Sequence, residues 1–420
     1  IVNIITRKYA IIICNMKYLA VLGRQPKISL AELESLFSDV KQIAPELAEF
    51  STEKEPKIGR LGGTLKLARP ILEPMAKFWE KLPETGKIVI GVSDFSRGAN
   101  AYLAQKEAMK WKRVLSKTGR NVRVVPNKTP VLSSATSLHN KMWTPTHVEL
   151  IKNGKYYYRV SGVQDIEAYA KRDQARPARD AKVGMLPPKL AQILINLCGD
   201  LPANAVVLDP FCGTGVVLQE AALMGYQPYG TDINERMVEY SERNLAWLTQ
   251  GGLNSLFSAT RRSSGPSSRA EAASPSGRCP ADGLRKEQNK PTPMMVSQGD
   301  ATSFRWQEPI EAVACETYLG RPMSLAPAEI KLKQEKQECG TIILGFLKNL
   351  AGQIRAGTPV SIAVPVWQPP NGQYERLNIL DEIEELGYNV KRFRNIGQED
   401  LLYHREKQIV AREIIVLRKK

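Results

Sequence analysis

Asp209-Pro210-Phe211-Cys212-Gly213-Thr214-Gly215 follows the apolar run Ala205-Val206-Val207-Leu208, and this junction decides the fold. The apolar run predicts a strand, and the two glycines predict a sharp turn in which a Cβ would block both positive φ angles and the approach of a ligand. A helix is predicted over residues 216–224, with Gly225 as its stop, and a second strand is predicted to end at Asp232. A strand, a glycine turn and a helix in this order begin the cofactor pocket of a doubly wound α/β fold.

The type of cofactor is indicated by what this loop contains and lacks. Asp232 lies close to the ~20-residue offset at which an acid at a strand end binds ribose hydroxyls in such folds. The loop has neither the third glycine of the dinucleotide fingerprint nor a Lys-Ser/Thr pair to hold a phosphate. We therefore expect a nucleoside cofactor without a pyrophosphate, and S-adenosyl-L-methionine is the natural candidate.

Three carboxylates have predicted roles in this pocket. Asp209 is expected to face the amino end of the methionine moiety, Asp232 to hold the ribose, and Asp300 to accept a hydrogen bond from the adenine amine. The alternatives are an ordinary strand-to-helix turn and, for Asp300, a simple loop aspartate. The predicted cofactor-binding residues are Asp209, Phe211, Gly213, Gly215, Asp232, Ile233, Asp300 and Ala301.

Length, composition and charge limit the number of domains and the type of partner that the sequence allows. A chain of 420 residues with 43% hydrophobic residues predicts two or three domains with normal cores. The net charge of +16 indicates a polyanionic partner, because surplus lysine and arginine release counterions from phosphates. Nucleic acid is the default expectation. A basic helix predicted around residues 106–117 is a candidate for RNA contact, although such charge runs are often only solvated faces.

Other classes of protein are disfavoured by what the sequence lacks. The six cysteines contain no Cys-x-x-Cys pair and the three histidines form no cluster, so we expect neither a metal site nor a disulfide framework. No apolar run approaches the ~20 residues of a membrane span, and residues 1–15 carry no cleavage-site pattern. A cytoplasmic location is therefore predicted. Residues 1–15 are interpreted as a non-native or disordered extension, and residues 251–298, rich in Ser, Gly, Pro and Arg, as a disordered insertion.

The remaining pattern predicts alternating strands and helices. A capping box from Ser29 to Glu32 predicts the start of a helix that continues to Phe37. The turn Asn153-Gly154 predicts a hairpin between strands at residues 148–151 and 156–160. Further strands are predicted at 311–315, 360–366, 388–393 and 409–417, which gives a largely parallel sheet whose ligands collect at the strand ends.

Several of these segments resemble a known family. Residues 184–197, the loop from Asp209 to Gly215, Asp232 and the tail from residue 401 to residue 414 look like the tRNA guanosine N2-methyltransferases that modify position ten of tRNA. The run at residues 171–180 is similar too. The resemblance implies a class I, Rossmann-like methyltransferase domain at residues 184–420, preceded by an α+β half that is similar, more loosely, to a ferredoxin-like domain (16–82) and a THUMP RNA-binding domain (83–164), with a connector at 165–183.

The resemblance also implies tRNA as the partner. Arg172, Arg176, Arg179 and Lys189 are the predicted substrate-binding residues. The three arginines are expected either to contact RNA phosphates from the connector or to bridge the domains through salt links, and the sequence leaves both alternatives open.

One motif departs from the family. Its members carry Asp-Pro-Pro-Tyr after the fourth strand, where the acid accepts from the exocyclic amine and the ring stacks on the base. Here the chain reads Cys315-Glu316-Thr317-Tyr318-Leu319-Gly320. Glu316 and Tyr318 are the predicted catalytic residues, as acceptor and stacking platform, or else strand-end residues with ordinary packing. Both prolines are missing and the ring is displaced by one residue, and misplacement by ~1 Å can cost on the order of 10²-fold in rate.

Three functions follow from these observations. The first is an S-adenosylmethionine-dependent methyltransferase acting on the N2 amine of a guanosine in tRNA. The second is a catalytically degenerate protein that binds the cofactor and RNA, and the third is a DNA amino-methyltransferase.

Overall fold

The protein is described by a computed structural model that covers residues 15–180, 185–249, 295–307, 309–323, 327–368, 373–405 and 408–420. Within these ranges the chain forms two eight-stranded sheets, one in each half. Nearly all of the predicted extension at 1–15 and most of the predicted insertion at 251–298 lie outside the described residues. None of the described helices is long and apolar enough to cross a membrane.

The amino-terminal half is a mixed sheet with helices, as the predicted α+β character requires. Its strands run in the spatial order β2-β3-β1-β4-β8-β7-β5-β6, antiparallel as far as β7 and parallel from β7 to β6. The β4–β8 pair joins the segments predicted as separate domains in one sheet, and a boundary at residue 82 stays a prediction. The elements are β1 (Met16–Leu22), α1 (Pro26–Leu36), β2 (Ser38–Ala44), β3 (Leu47–Thr52), β4 (Thr64–Pro70), α2 (Met75–Glu80), β5 (Ile88–Asp94), α3 (Ala101–Ser116), β6 (Val122–Val124), α4 (Ser134–His139), β7 (His147–Asn153) and β8 (Tyr156–Val163).

The predicted capping box at the first helix is wrong. Helix α1 begins at Pro26, three residues before Ser29, because proline is favoured in the first turn of a helix. Ser29 lies inside the helix and its Oγ donates to the carbonyl of Gln25. The carboxylate of Glu32 instead accepts hydrogen bonds from Gly62 N and Gly63 N, each at 2.8 Å.

The carboxy-terminal half has the predicted doubly wound architecture. Its strands run in the order β11-β10-β9-β12-β13-β16-β14, and β15 pairs with β16. The first five are parallel, and β16 is antiparallel to both of its neighbours on that path. The elements are α5 (Ile166–Gln174), α6 (Pro188–Leu197), β9 (Val206–Asp209), α7 (Val216–Leu223), β10 (Gln227–Asp232), α8 (Glu235–Thr249), β11 (Met295–Gln298), β12 (Ala312–Glu316), α9 (Glu329–Ala351), β13 (Pro359–Trp367), α10 (Leu380–Glu385), β14 (Tyr388–Val390), β15 (Leu402–Tyr403) and β16 (Val410–Lys419).

Two predictions about this half need correction. The last four residues of the predicted disordered insertion form β11, which pairs in parallel with β10, so the insertion ends before Met295. The predicted connector contains α5, a helix whose amino end is capped by Asp165 Oδ1 on Ala168 N.

The two halves share a hydrophobic core. Leu30 and Leu33 of α1 are completely buried in the same cluster as Leu190 and Leu194 of α6. Between them passes the loop before β4, where a Cβ on Gly62 would lie 2.3 Å from the carbonyl oxygen of Lys189. The close approach requires glycine, and it sets the carboxy-terminal half directly against the amino-terminal half.

Candidate cofactor and catalytic site

The turn from β9 to α7 has the predicted glycine conformations. Gly213 has φ +51° and Gly215 has φ +77°, both in the left-handed region that favours glycine. Gly215 N donates to the carbonyl of Cys212 at 2.7 Å, which closes the turn. A Cβ on Gly215 would lie 2.8 Å from Ser241 Oγ and 3.1 Å from Ser241 Cα, so helix α8 can pack here only against a glycine.

Two of the predicted cofactor-binding acids lie on either side of this turn. Asp209 ends β9, is 2% exposed, and accepts a hydrogen bond from Phe211 N at 3.1 Å. Asp232 ends β10, and its Oδ2 accepts from Gly213 N at 2.9 Å while Oδ1 accepts from Asn234 N. The second strand end therefore holds the glycine loop in place through a side chain.

The electrostatics of these acids depend on burial. Burial raises the pKa of Asp209 well above its usual range, and the nearby negative charges of Asp232 and Glu316 raise it further. Burial also raises the pKa of Asp232, against the effect of the hydrogen bonds it accepts from Asn234 and Gly213. The ends of β9, β10 and β12 thus bring three carboxylates close enough to interact, an arrangement that is common at functional sites.

The other predicted cofactor residues are brought to the same edge of the sheet. Gly299 N donates to the carbonyl of Asp232, so the loop after β11 lies beside β10. Asp300 Oδ1 accepts from Thr302 N and Thr302 Oγ1, both at 2.8 Å, and Ala301 is buried. Ile233 is 67% exposed. Phe211 packs edge-to-face on Phe346 of α9, with ring centroids 5.2 Å apart.

The predicted catalytic acid is held by a residue that the sequence did not single out. Arg412 of β16 donates from Nε to Glu316 Oε1 at 2.8 Å, and Arg412 is only 5% exposed. The partners are 96 residues apart in sequence, so no local spacing connects them. The available signal was a charged pair, Arg412-Glu413, inside the otherwise apolar pattern of β16, since a charge on an inward-facing strand position requires a partner.

Tyr318, the predicted stacking residue, is half-buried against helix α9. Its hydroxyl donates to Glu338 Oε1 at 3.4 Å. Between the two predicted catalytic residues, Thr317 donates from both N and Oγ1 to the carbonyl of Ala363 on β13, at 3.0 and 3.1 Å. These bonds fix the backbone after β12 at the place where the family has two prolines.

Three of the four predicted substrate-binding residues are buried or half-buried and contact other side chains of the protein. Arg172 pairs with the buried Glu220, with Nε 2.7 Å from Oε1, so the salt-link alternative is the one found for this residue. Lys189 Nζ donates to Gln164 Oε1 at 2.6 Å and lies 5.1 Å from the ring of Tyr169. Arg176 is 3% exposed.

Only Arg179 of this predicted set is exposed, and it donates to the carbonyl of Gln174. The prediction that Arg172 contacts RNA is corrected for a simple physical reason. The positive charge of Arg172 is neutralised by Glu220 of α7 in a low-dielectric interior, where it cannot reach an RNA phosphate. No group of three or more His, Cys, Asp or Glu side chains in the described ranges is arranged to hold a metal ion.

The strand order and the glycine loop define a Rossmann-like α/β domain of the methyltransferase type. Residues 176–260 match the model of the UPF0020 family, described as RMKL-like, methyltransferase domain. This segment, which contains the loop, Asp209 and Asp232, is therefore similar to a methyltransferase domain.

Similar proteins point to a more particular group. The chain is 41% identical over 107 residues to a tRNA (guanine(10)-N2)-dimethyltransferase from Methanothermobacter thermautotrophicus, covering 25% of this chain and 31% of the relative. It is 48% identical over 62 residues to the enzyme of that name from Pyrococcus abyssi, covering 15% and 18%. The chain thus spans less than a third of the length of these relatives. The predicted resemblance to the tRNA guanosine N2-methyltransferases is confirmed over the matched residues.

A solved structure is similar over a greater length. TrmN from Thermus thermophilus aligns over 96% of this chain and all of its own, with 15% identity and a TM-score of 0.45. Similarity at this level establishes no shared activity.

Proposed function

We propose that the protein is an S-adenosyl-L-methionine-dependent methyltransferase that transfers a methyl group to the exocyclic N2 amine of a guanosine in tRNA. The observation that carries this proposal is the glycine turn between the ends of β9 and β10, held by Asp232 Oδ2 on Gly213 N, inside the segment that matches a methyltransferase family. The matched relatives, whose names specify guanine N2 in tRNA, support the choice of substrate.

The loop fits the cofactor that we propose. A Cβ on Gly213 would meet nothing closer than Phe211 O at 4.0 Å, so the space above the turn is open. Asp232 would accept from the ribose, Asp209 would face the amino end of the methionine moiety, and Asp300 would contact the adenine, with Phe211, Ile233 and Ala301 as apolar neighbours. S-adenosylmethionine, when bound, supplies an electrophilic methyl group on a sulfonium centre.

The chemistry that we assign to the protein itself centres on Glu316. Arg412 occupies Oε1, and no described residue donates a hydrogen bond to Oε2, which is left to accept from the amine of the target base. That hydrogen bond makes the lone pair of the amine available and favours loss of its proton after transfer. Tyr318 would stack on the base, which must first leave its stack in the RNA.

The amino-terminal half supplies the surface that we assign to tRNA. Helix α3 exposes three basic side chains, Lys106, Lys110 and Arg113, and the exposed Lys117 follows as its C-cap. Basic residues on one helix can neutralise phosphates and release their counterions, consistent with the net charge of +16. The THUMP-like character of this half and a cytoplasmic location remain predictions.

The decisive experiment incubates the protein with isotopically labelled S-adenosylmethionine and unmodified bulk tRNA, with DNA offered in parallel, and identifies the labelled nucleoside after digestion. Label in N2-methylguanosine or its dimethyl form is the expected result. Binding of the cofactor without transfer to tRNA identifies a degenerate RNA-binding relative. Transfer to DNA alone identifies an amino-methyltransferase of DNA.

A further inference from the structure

Arg176 is a buried cation whose hydrogen-bonding capacity is only partly used. It is 3% exposed, and its Nε and Nη1 atoms have no hydrogen-bond partner. Its remaining nitrogen, Nη2, forms an ion pair with Asp173 Oδ1 at 3.6 Å and donates to Met185 Sδ at 3.6 Å, and neither contact serves the other two nitrogens. Burying two unpartnered donors of a guanidinium is unfavourable, so a site that keeps them is expected to bind an anion.

The segment that carries Arg176 is fixed to the glycine loop. Asn244 of α8 accepts from Ala178 N at 3.0 Å and donates to Ala178 O at 2.9 Å. The same amide donates to Thr214 O at 2.8 Å, between the two glycines of the turn. Asp180 then pairs with Arg236 in the first turn of α8, at 2.7 Å. Arg176 therefore lies two residues from Ala178, whose backbone is linked to the glycine loop through the side chain of Asn244.

The anion that suits the site of Arg176 is a small group on a ligand bound at the glycine loop. A phosphate of an RNA backbone carries the chain on both sides and cannot enter an enclosed site such as that of Arg176, whereas the terminal carboxylate of a small ligand can. Of the neighbouring acids, the buried Glu220 pairs with Arg172, and Asp173 contacts only Nη2 of Arg176. A carboxylate offers the planar pair of acceptors that a guanidinium matches best.

We propose that Arg176 binds the carboxylate of the amino-acid end of the cofactor, and so selects ligands that carry an α-amino acid over nucleosides that lack it. This inference rests on the proposed function, in which the loop binds S-adenosylmethionine. It differs from both roles that the sequence left open for this residue, contact with an RNA phosphate and a salt link between the domains.

The test compares two ligands that differ in this group. S-adenosylhomocysteine carries the amino acid, and methylthioadenosine keeps the adenosine and the sulfur without it. Titration calorimetry of the full chain is expected to show that Arg176→Gln weakens S-adenosylhomocysteine by roughly 10- to 100-fold, as loss of a charged hydrogen bond predicts, and leaves methylthioadenosine unchanged. Arg179→Gln, in the same segment but exposed, is the matched control and is expected to change neither affinity.

The outcomes separate the inference from the function on which it rests. If Arg176→Gln weakens both ligands equally, or weakens neither, the inference is overturned while cofactor binding stands. If the native protein binds neither ligand, the proposed function fails and the inference fails with it. Thermal melting of the variants without ligand shows whether they fold, and Arg176→Lys, which keeps the charge, is expected to retain intermediate discrimination between the two ligands.

Discussion

Arg412 Nε lies 2.8 Å from Glu316 Oε1 and ties the end of β12 to β16, two strands away in the sheet. The same guanidinium donates from Nη1 to Gln408 Oε1 at 3.1 Å, so its own position is fixed from a second direction. Because one oxygen of Glu316 is engaged, the carboxylate cannot rotate freely, and its second oxygen has a defined direction. The ion pair thus restrains the side chain of Glu316, while the hydrogen bonds of Thr317 to Ala363 restrain the backbone beside it.

The first prediction concerns this pair. Glu316→Gln is expected to lower kcat of methyl transfer to tRNA by roughly 10²- to 10⁴-fold, because the acceptor of the amine proton is lost. Arg412→Met is expected to lower kcat by on the order of 10²-fold through misplacement of Glu316, with KM for tRNA unchanged. Single-turnover kinetics measure the transfer step, and calorimetry with S-adenosylhomocysteine measures cofactor affinity.

Cofactor affinity is the control for both variants, and we expect it to stay within about twofold of the native value because neither side chain is assigned to the cofactor. Arg412→Lys keeps the positive charge but replaces the guanidinium by a single ammonium group. Its rate of methyl transfer should therefore lie between those of Arg412→Met and the native protein. Unchanged transfer in Glu316→Gln would exclude this residue from the reaction.

The sequence predicted those elements of the fold whose local residue pattern matches their burial in the structure. The run from Ala205 to Gly215 combines an apolar strand with glycines at positive φ, and both properties can be recognised from the residue types alone. Strand β2, by contrast, contains no buried residue, so its edge position leaves no apolar alternation to detect. Helix α9 begins with a charged, mostly exposed turn and contains Gly340 and Gly345, which weaken its helical pattern.

The candidate site was predictable only in part, for the same reason. Asp209 and Asp232 follow strands that are neighbours in both sequence and sheet. The partners Glu316 and Arg412 are far apart in the chain, and Arg172 finds its acid, Glu220, 48 residues away. The charge of a residue does not reveal its burial, so the sequence left open whether Arg172 contacts RNA or forms a salt link, and the structure shows a buried ion pair with Glu220.

A second prediction tests the glycine turn against a matched position. Gly215→Ala is expected to destabilise the fold by at least about 3 kcal/mol, since it adds a steric clash with Ser241 to the cost of positive φ. Gly225 has a similar φ of +81° but nothing within 4 Å of a new Cβ. Gly225→Ala should therefore cost only about 1 to 2 kcal/mol. Urea unfolding measures both, and equal losses would refute the packing argument.

A third prediction follows from the corrected role of Arg172. Arg172→Met is expected to lower the free energy of unfolding by roughly 3 to 5 kcal/mol, because Glu220 is left charged and buried. The double variant Arg172→Met, Glu220→Gln should recover part of that loss. Denaturant unfolding measures stability and filter binding measures tRNA affinity. A folded, equally stable Arg172→Met protein with weakened tRNA binding would restore the RNA-contact interpretation.

The fourth prediction concerns pH and the joint between the halves. Glu32 of α1 is completely buried and accepts hydrogen bonds from Gly62 N, Gly63 N and, at 2.7 Å, Asn196 Nδ2 of α6. Burial raises the pKa of Glu32 from 4.5 to about 7, and the three donors only partly oppose that shift. The carboxyl group of Glu32 is therefore protonated in the folded protein at pH values at which it is ionised in the unfolded chain.

The sign of the resulting pH dependence is fixed by that difference. As pH rises from about 4.5 to about 7, the unfolded state binds fewer protons than the folded state, so the contribution of Glu32 to stability falls by up to about 3 kcal/mol and then stays constant. Glu32→Gln should abolish this decline, at a constant cost of roughly 1 to 3 kcal/mol because its amide N–H faces a backbone donor. Urea unfolding from about pH 5 to about pH 8 measures the slope, with the exposed Glu80→Gln as control. A decline in Glu32→Gln as steep as in the native protein would assign the pH dependence to other groups.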